Sequence, residues 1–599
     1  MSNNLENCNN IKLTKQKEYL KKEILTGNND TYFKVLDLEC GTGKSITTEE
    51  ALAEITKYNK KALLVKERNS DCINAAKRIN KLAANQEIAI AINSDTHNLK
   101  QFNKIKGELY TYSIVIISHE KYKVLAVDKK QREYFTKDRN ILVIDEFLNM
   151  TKGNELSINL KWIEEFETFL RHRALRNQFA ICIAEIEDYL NSKKKLQSFF
   201  NAKIDYKTIC KEINKLKTLI KSNLDNEYLQ EQGFSKTQVL QKVEELKQFY
   251  NQTCVVEGNT IYCTNRNYQY WLLDNNIILD ASAKLNQAYK LNKELFHIQH
   301  QTPVLDHRLW SFFIMKTNTT VSGKNKAINF YDVVQKLIDK LGENTLVIGN
   351  KTDENSINAK YINHFGNVTG SNDYRELCNC VITHNPNIPY RYYILEHLYF
   401  SNETLDNRNS WSGSNSGKGD EMVYRFNEKK FETYRQCKNA NEIYQAIKRV
   451  NRDMSQKSKI FIFNNDMETI QRVLDMFKGE KSVTIYDNKV KFEKSKQKEF
   501  LEEHNQKQHE NRQAKKFINL LSEIMKLKHI DLQKQKKNRK GEMETVMGVY
   551  PKASLRNYMG ITDKGQFTRG ILNDADVIDY MARHNIINKG QTLDFTNAK

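Results

Sequence analysis

Proline and long apolar runs are what this sequence lacks most. Only 4 of its 599 residues are proline, so little in it breaks helices. The bias toward asparagine, lysine and isoleucine fits either a helix-rich chain with polar loops or the drift of an AT-rich genome. Its longest apolar runs are short pieces such as Ile114 to Ile117, far below the roughly 18 to 20 residues that span a bilayer; no membrane role is expected. The opening MSNNLENCNN has no signal-peptide core. Ten cysteines are too sparse for a disulfide scaffold, and no two form the CxxC pairs of a zinc ribbon, so they read as reduced thiols of a cytoplasmic protein. Acidic charge is the minority: 74 Asp and Glu stand against 94 Lys and Arg, a formal net charge of +20. That balance favours a polyanionic partner, DNA or RNA.

The length allows roughly three to five domains. Between residues 33 and 150 the runs FKVLDL, KALLVK, EIAIAI, YSIVIIS and ILVIDEF alternate with helical spacing, which predicts a parallel sheet covered on both faces. From about Leu156 to Asn251 long charged amphipathic stretches predict a helical block, ending in the hairpin signal VVEGNTIYCT. A second α/β pattern runs from about 310 to 475, with NTLVIG, NCVITH, RYYIL and KIFIFNN as strand candidates and WSGSNSGKGD as a mobile loop. From Lys489 to about Lys540 the chain is densely charged and helical in composition.

The run FKVLDL leads into Gly41, Thr42, Gly43, Lys44 and Ser45, followed by the helical ITTEEALAEI. A glycine-containing turn lets backbone N–H groups surround phosphate oxygens, and the helix N-terminus adds partial positive charge. In such a loop Lys44 contacts the β and γ phosphates of ATP and Ser45 gives its hydroxyl to Mg²⁺. The first glycine of the strict pattern is absent, Leu38 standing in its place, so an ordinary strand-turn-helix competes with this reading. About a hundred residues on, ILVIDEFLNM ends a strand in Asp145 and Glu146. Adjacent carboxylates there can divide the work, Asp145 holding Mg²⁺ and Glu146 polarising water; the bland alternative is a solvated strand end. In IYQAIKRVNR, Arg449 and Arg452 share one helix face, where both guanidinium groups can reach one anion. A basic surface helix would look the same.

Taken together, GTGKS, DEFL and QAIKRVNR, the last containing Gln445, Arg449 and Arg452, resemble motifs I, II and VI of the superfamily 2 DEAD/DEAH-like helicases, in the family's order. Gln16 resembles the upstream glutamine that reads adenine. LLVKERNS, with Lys66 and Arg68, resembles motif Ia, and IISHEKY, with Ser118 and His119, resembles a stretch that touches the strand backbone. IILDASA, with Asp280 and Ser282, resembles motif III, NTLVIGN motif IV, and VTGSND, with Gly370 and Asn372, motif V. The departures are Leu148 at the end of motif II and DASA in place of SAT, positions that couple ATP to nucleic acid.

The resemblance covers roughly residues 10 to 475. It implies an α/β fold of two RecA-like parallel-sheet lobes with a helical insertion in the first lobe and a mainly helical C-terminal extension. The expected boundaries are 1–150 and 252–305 for the first lobe, 151–251 for the insertion, 306–475 for the second lobe, 476–545 for a charged helical linker and 546–599 for a C-terminal module. The insertion lies where iron-sulfur helicases carry their arch, but their four-cysteine cluster is missing, and no iron-sulfur cluster is expected. In the last module, helices precede a hairpin around Asn588, Lys589 and Gly590. That order fits a winged helix with Lys564, Gln566 and Arg569 facing DNA, or equally a helical cap.

The expected activity is an ATP-dependent helicase or single-strand translocase, with ATP and Mg²⁺, acting on single-stranded or forked DNA in replication, repair or defence of a bacterial, phage or plasmid genome. Replication or defence proteins would be its partners. The competing expectation is a non-unwinding, nucleotide-gated DNA-binding protein such as a replication initiator.

Overall fold

The computed structural model describes residues 2–192, 197–231, 233–367, 373–405, 411–416, 422–452, 454–479, 481–486, 490, 513–527, 529–538 and 540–598. The chain divides into two compact units, Met1–Lys491 and Phe492–Lys599.

In the first unit a seven-stranded parallel sheet runs in the order Phe296–Gln299, Asn29–Leu36, Asn275–Leu279, Ile141–Asp145, Ala62–Lys66, Ile114–Ser118 and Ala89–Ala91. Its central strands are buried along almost their whole length, because helices cover both faces. The two-residue repeat sorts each strand between two cores. Ile141 and Val143 pack with Leu20, Leu52 and Ile79, whereas Leu142 and Ile144 pack with Tyr122, Leu125 and Phe135. Leu36, Leu279 and Asp145 stand in register across neighbouring strands. The loops that follow them therefore emerge side by side at the carboxyl edge of the sheet, the usual place for a ligand in such folds.

A second parallel sheet has six strands in the order Tyr361–His364, Thr345–Gly349, Asn379–Ile382, Ser458–Phe463, Trp310–Met315 and Ser482–Tyr486. These are two RecA-like α/β lobes. RYYIL, read from sequence as a strand, is instead inside the helix Tyr390–Ser401. Its residues from Tyr393 to Leu398 are all buried, Glu396 and His397 included, so the short apolar run YYIL at its start shows no period by which a window could tell helix from strand. The expected mobile loop is also partly ordered structure. Trp411 is fully buried, and Gly413–Ser416 pairs antiparallel with Val423–Phe426.

Between the strands Ile141–Asp145 and Asn275–Leu279 lies a body with its own core, built from the helices Leu160–Phe169, Arg173–Asn191, Tyr206–Asn223 and Lys236–Glu245. It is not purely helical. Glu155–Asn159, Thr260–Thr264, Cys254–Glu257 and Gln197–Phe200 form an antiparallel sheet there, so the hairpin at 254–264 pairs with this body and not with the parallel sheet. Its alternating β-formers can cover a helical layer as well as extend a lobe.

The second unit packs Phe517, Leu521, Tyr550, Leu555, Phe567, Ile571, Val577 and Leu593 in one core. Its three-stranded sheet runs Val549–Pro551, Thr592–Asp594, Ile587–Lys589. The helix that leads directly into the hairpin is Ala575–Arg583, so Lys564, Gln566 and Arg569 sit one element earlier than a groove-facing helix requires. Lys564 and Arg569 are exposed and Gln566 is half-buried. Within the basic run at 534–540, Lys534–Lys537 is a strand paired with Met543–Val546, not helix. All four side chains of Lys534–Lys537 are exposed, and a fully solvated charged run fits a hairpin as well as a helix.

Candidate nucleotide cleft and strand channel

The loop after Asn29–Leu36 turns on Gly41 and Gly43, both left-handed, at φ +93° and +83°. At Gly41 the reason is also steric. A Cβ there would stand 2.9 Å from the carbonyl oxygen of Arg452, so the loop and the arginine segment of the other lobe touch backbone to backbone. The helix Lys44–Ala53 begins immediately after this turn. Lys44 Nζ donates to the Leu38 carbonyl at 3.0 Å, and Ser45 Oγ donates to Asp145 Oδ2 at 2.9 Å.

Asp145 ends its strand, and Glu146 follows with φ +71°, a left-handed conformation that costs a residue with a side chain roughly 1–3 kcal/mol. The turn is held by a hydrogen bond from the Glu146 N–H to the Leu279 carbonyl at 2.9 Å. It directs Glu146 toward the second lobe, where Arg449 Nη2 stands 4.0 Å from Glu146 Oε1. The helix expected to carry both arginines ends at Ile447, and Asn451 between them is left-handed at φ +41°, so Arg449 and Arg452 reach the cleft from the turn after the helix and not from one helix face. Burial pushes the Glu146 carboxyl up, with Arg449 opposing. Burial would also raise Asp145, but the charge and hydrogen bond of Lys66, with Lys44 and Ser45, hold it below the ordinary carboxylate range.

These groups line one cavity of about 570 Å³. Cys40, Gly43, Lys44, Ser45, Asp145 and Glu146 come from the first lobe, and Arg375, Arg449 and Arg452 from the second. A glycine turn at a helix N-terminus with converging lysine and arginines suits a triphosphate. Two hard oxygen donors, a hydroxyl and a carboxylate, suit Mg²⁺. Gln16 lies close by, lining a small recess with Thr42, Lys44 and Thr47. Its Nε2 donates to the Thr302 carbonyl, while its buried Oε1 has no hydrogen-bond partner, an acceptor suited to the exocyclic amine of adenine.

Beside this cleft, a larger cavity of about 910 Å³ runs between the lobes, and Glu67 and Glu146 line both. Its cations are Arg68, Lys123, Lys152, Lys351 and Lys438, with Phe147, Phe365 and Tyr392 among them. Positive side chains interleaved with rings suit a single strand. Arg68, expected on the strand path, lines this channel and donates to the Asn367 carbonyl at 2.8 Å, joining the lobes. His119 also lines it, its Nε2 at 3.1 Å from the Asp145 carbonyl oxygen. Burial lowers its imidazole to about 4, so the ring is neutral at pH 7.

Two residues expected on the strand path are placed elsewhere. Lys66 is buried beneath the nucleotide cleft and ion-pairs with Asp145 at 2.7 Å, because the last residue of its strand faces the neighbouring strand end. Ser118 is buried and caps the helix His119–Val127, accepting from the Lys121 N–H at 3.3 Å.

Asp280 and Ser282 form a tight turn: Asp280 Oδ1 accepts from the Ser282 N–H at 2.8 Å and its hydroxyl at 2.6 Å, and Tyr289 donates to Oδ2 at 3.0 Å. Gln445 Nε2 reaches Ser282 Oγ at 3.2 Å, and Arg449 Nη2 reaches Gln445 Oε1 at 3.5 Å. An unbroken polar path therefore leads from Asp280 to the arginine that faces Glu146. Gly370 and Asn372 lie outside the described residues.

Sequence reading passed over Glu67, Glu49, Arg78 and Arg375, the last lining the nucleotide cleft. Glu67 is raised to about 7 by burial and by the neighbouring Glu146. Glu49 is buried and takes both Nε and Nη2 of Arg78, at 2.6 and 2.7 Å. The one sequence signal for Glu49 is a carboxylate on the apolar side of the helix after GTGKS.

No family model and no curated protein matches this chain. Among solved structures it is similar to an XPD helicase, at 12% identity and TM-score 0.43, covering 78% of this chain and 99% of that one. It is also similar to S. cerevisiae Dbp5 bound to RNA and ADP BeF3, at 10% identity and TM-score 0.36, covering 78% and 89%. A third is the helicase MrfA bound to DNA and AMPPNP, at 9% identity and TM-score 0.32, covering 78% and 51%.

Proposed function

We propose that this protein is an ATP-hydrolysing motor that binds a nucleic-acid strand between its lobes and steps along it or opens it. The observation that carries the reading is the convergence, in one cavity, of Lys44, Asp145 and Glu146 from one lobe with Arg449 and Arg452 from the other. In this reading Lys44 and the loop N–H groups hold the phosphates, and Gln16 reads the adenine. Glu146 orients the attacking water and accepts its proton, while Arg449 and Arg452 neutralise charge on the γ-phosphoryl group. Ser45 and Asp145 would hold Mg²⁺, whose charge supports the same phosphate oxygens when it is bound. The path Asp280–Ser282–Gln445–Arg449 would report hydrolysis to the lobe interface, and the channel cations would hold the strand.

DNA, single-stranded or forked, is the first choice of strand and RNA the second. Turnover of ATP measured with a panel of DNA and RNA strands tests this. Strand-stimulated turnover that Lys44→Ala abolishes supports it; turnover unaffected by every strand and by Lys44→Ala removes it.

A second reading is a clamp that closes on a strand without unwinding. What favours it is Phe400, on a helix of the second lobe, packed in the first lobe's core with Tyr270 and Phe296. Strand binding with no displacement on a forked duplex would select the clamp.

A further inference from the structure

Lys66 ends its strand inside the first lobe with almost no exposed side chain, 5%, in a site with two carboxylates. Its Nζ is 2.7 Å from Asp145 Oδ2 and 3.7 Å from Glu49 Oε1. The Asp145 oxygen it holds is the same one that accepts from Ser45 Oγ. A buried ammonium thus sits on the oxygen that the proposed function gives to Mg²⁺. Glu49 stands within about an ångström of taking over that ammonium, and Arg78, paired in two-pronged fashion with Glu49, fixes it in place. Asp71 and Arg78 complete the charged surroundings at this end of the cavity. A cation needs a counter-charge in a buried site, and this one has two, at unequal distances.

We infer that Lys66 is a two-position counter-ion that competes with a divalent cation for Asp145 and moves to Glu49 when the metal takes Asp145. Lys66 is then a positioning residue that makes metal binding depend on phosphate oxygens arriving with it. Metal alone must displace an ammonium for a single carboxylate and a hydroxyl, whereas metal carried by a nucleotide brings further ligands. Glu49 lowers the cost of the displacement by receiving the lysine. This inference rests on the nucleotide reading of the cleft, and its test measures metal binding without turnover.

The test is Mn²⁺ binding to the full chain, followed by the loss of free Mn²⁺ signal in electron paramagnetic resonance, with and without ADP. Removing a buried charge a few ångströms from the metal should tighten Mn²⁺ binding in the absence of nucleotide by about tenfold or more for Lys66→Met. Glu49→Gln, which removes the receiving position, should weaken Mn²⁺ binding in the presence of ADP. The gained affinity in Lys66→Met must vanish when Asp145→Asn is added, which assigns it to this site. If Lys66→Met does not fold, as judged by its melting curve, Lys66→Gln takes its place with the same expectation. Mn²⁺ affinity unchanged or weakened in the folded Lys66 variant, or a gain that survives Asp145→Asn, overturns the inference. Failure of ADP to bind wild-type protein instead counts against the nucleotide reading itself.

Discussion

Arg449 Nη2 stands 4.0 Å from Glu146 Oε1, and the two residues belong to different lobes. A guanidinium and a carboxylate that face each other across the lobe interface are placed as the proposed phosphoryl transfer requires. Glu146→Gln keeps size and loses the proton-accepting charge. Its ATP turnover should fall by about 100-fold or more with binding of a fluorescent ATP analogue retained. Arg449→Lys should restore little of the loss seen on removing Arg449, since an ammonium cannot reproduce the planar fork.

The contact of Gln445 with Ser282 at 3.2 Å is the step at which the polar path crosses from one lobe to the other. Ser282→Ala removes both hydrogen bonds of the hydroxyl, the local one to Asp280 and the one from Gln445; the latter, which joins the lobes, is on the order of 1 kcal/mol, or roughly fivefold in a rate. Turnover without a strand should hold while stimulation by a strand falls by about that factor. A loss equal in both conditions would mean that Ser282 serves the fold of the turn and not the coupling.

Glu67 supplies the pH dependence. Its carboxyl is raised to about 7, from burial first and Glu146 second, so the fold prefers it protonated. The stability it contributes is fully present below the ordinary glutamate value and is lost as pH rises through about 7. Glu67→Gln, which cannot ionise, should therefore melt higher than wild type at pH 8 and close to it at pH 4. Equal melting differences at both pH values would contradict this.

The insertion and the second lobe are held together by large buried groups. Trp411 is fully buried and donates from Nε1 to the Val256 carbonyl at 3.0 Å. Arg266 donates to the carbonyls of Leu398 and Tyr399 at 2.8 and 3.2 Å. Trp411→Ala should cost about 3–5 kcal/mol at this contact and free the insertion sheet, seen as faster proteolysis near residues 254–264. Unchanged proteolysis would show that Arg266 and its neighbours suffice.

How far the site could be read in the sequence depended on how local each feature is. Lys44 opens a helix, Asp145 ends a strand and Arg449 lies in the turn just after the helix Lys429–Ile447, each in a pattern complete within about ten residues, so their chemistry is legible in the sequence although the helix face expected for the arginines is not what positions them. The pairing of Lys66 with Asp145 is not legible there, because it depends on which strands are neighbours, and the order of strands in a parallel sheet is not written in any one segment. For the same reason Ser118 looked like a strand-binding group and is a helix cap. RYYIL resembles a strand because its apolar residues are consecutive and show no helical period, and Trp411 resembles part of a loop because its burial is supplied by the insertion sheet together with the helix Tyr390–Ser401 and Phe431 and Tyr434 of its own lobe, none of them adjacent in sequence. The channel lysines 123, 152, 351 and 438 carry no local signature at all; only the approach of the two lobes makes them one surface.

The central claim is that groups from both lobes act on one triphosphate. It is tested most directly by ATP turnover at saturating single strand for wild type, Lys44→Ala and Arg449→Ala, with binding of a fluorescent ATP analogue measured alongside. Strand-stimulated turnover is expected in wild type, with a loss of about 100-fold or more in each variant and retained analogue binding in Arg449→Ala. Wild-type turnover in Arg449→Ala would contradict the claim.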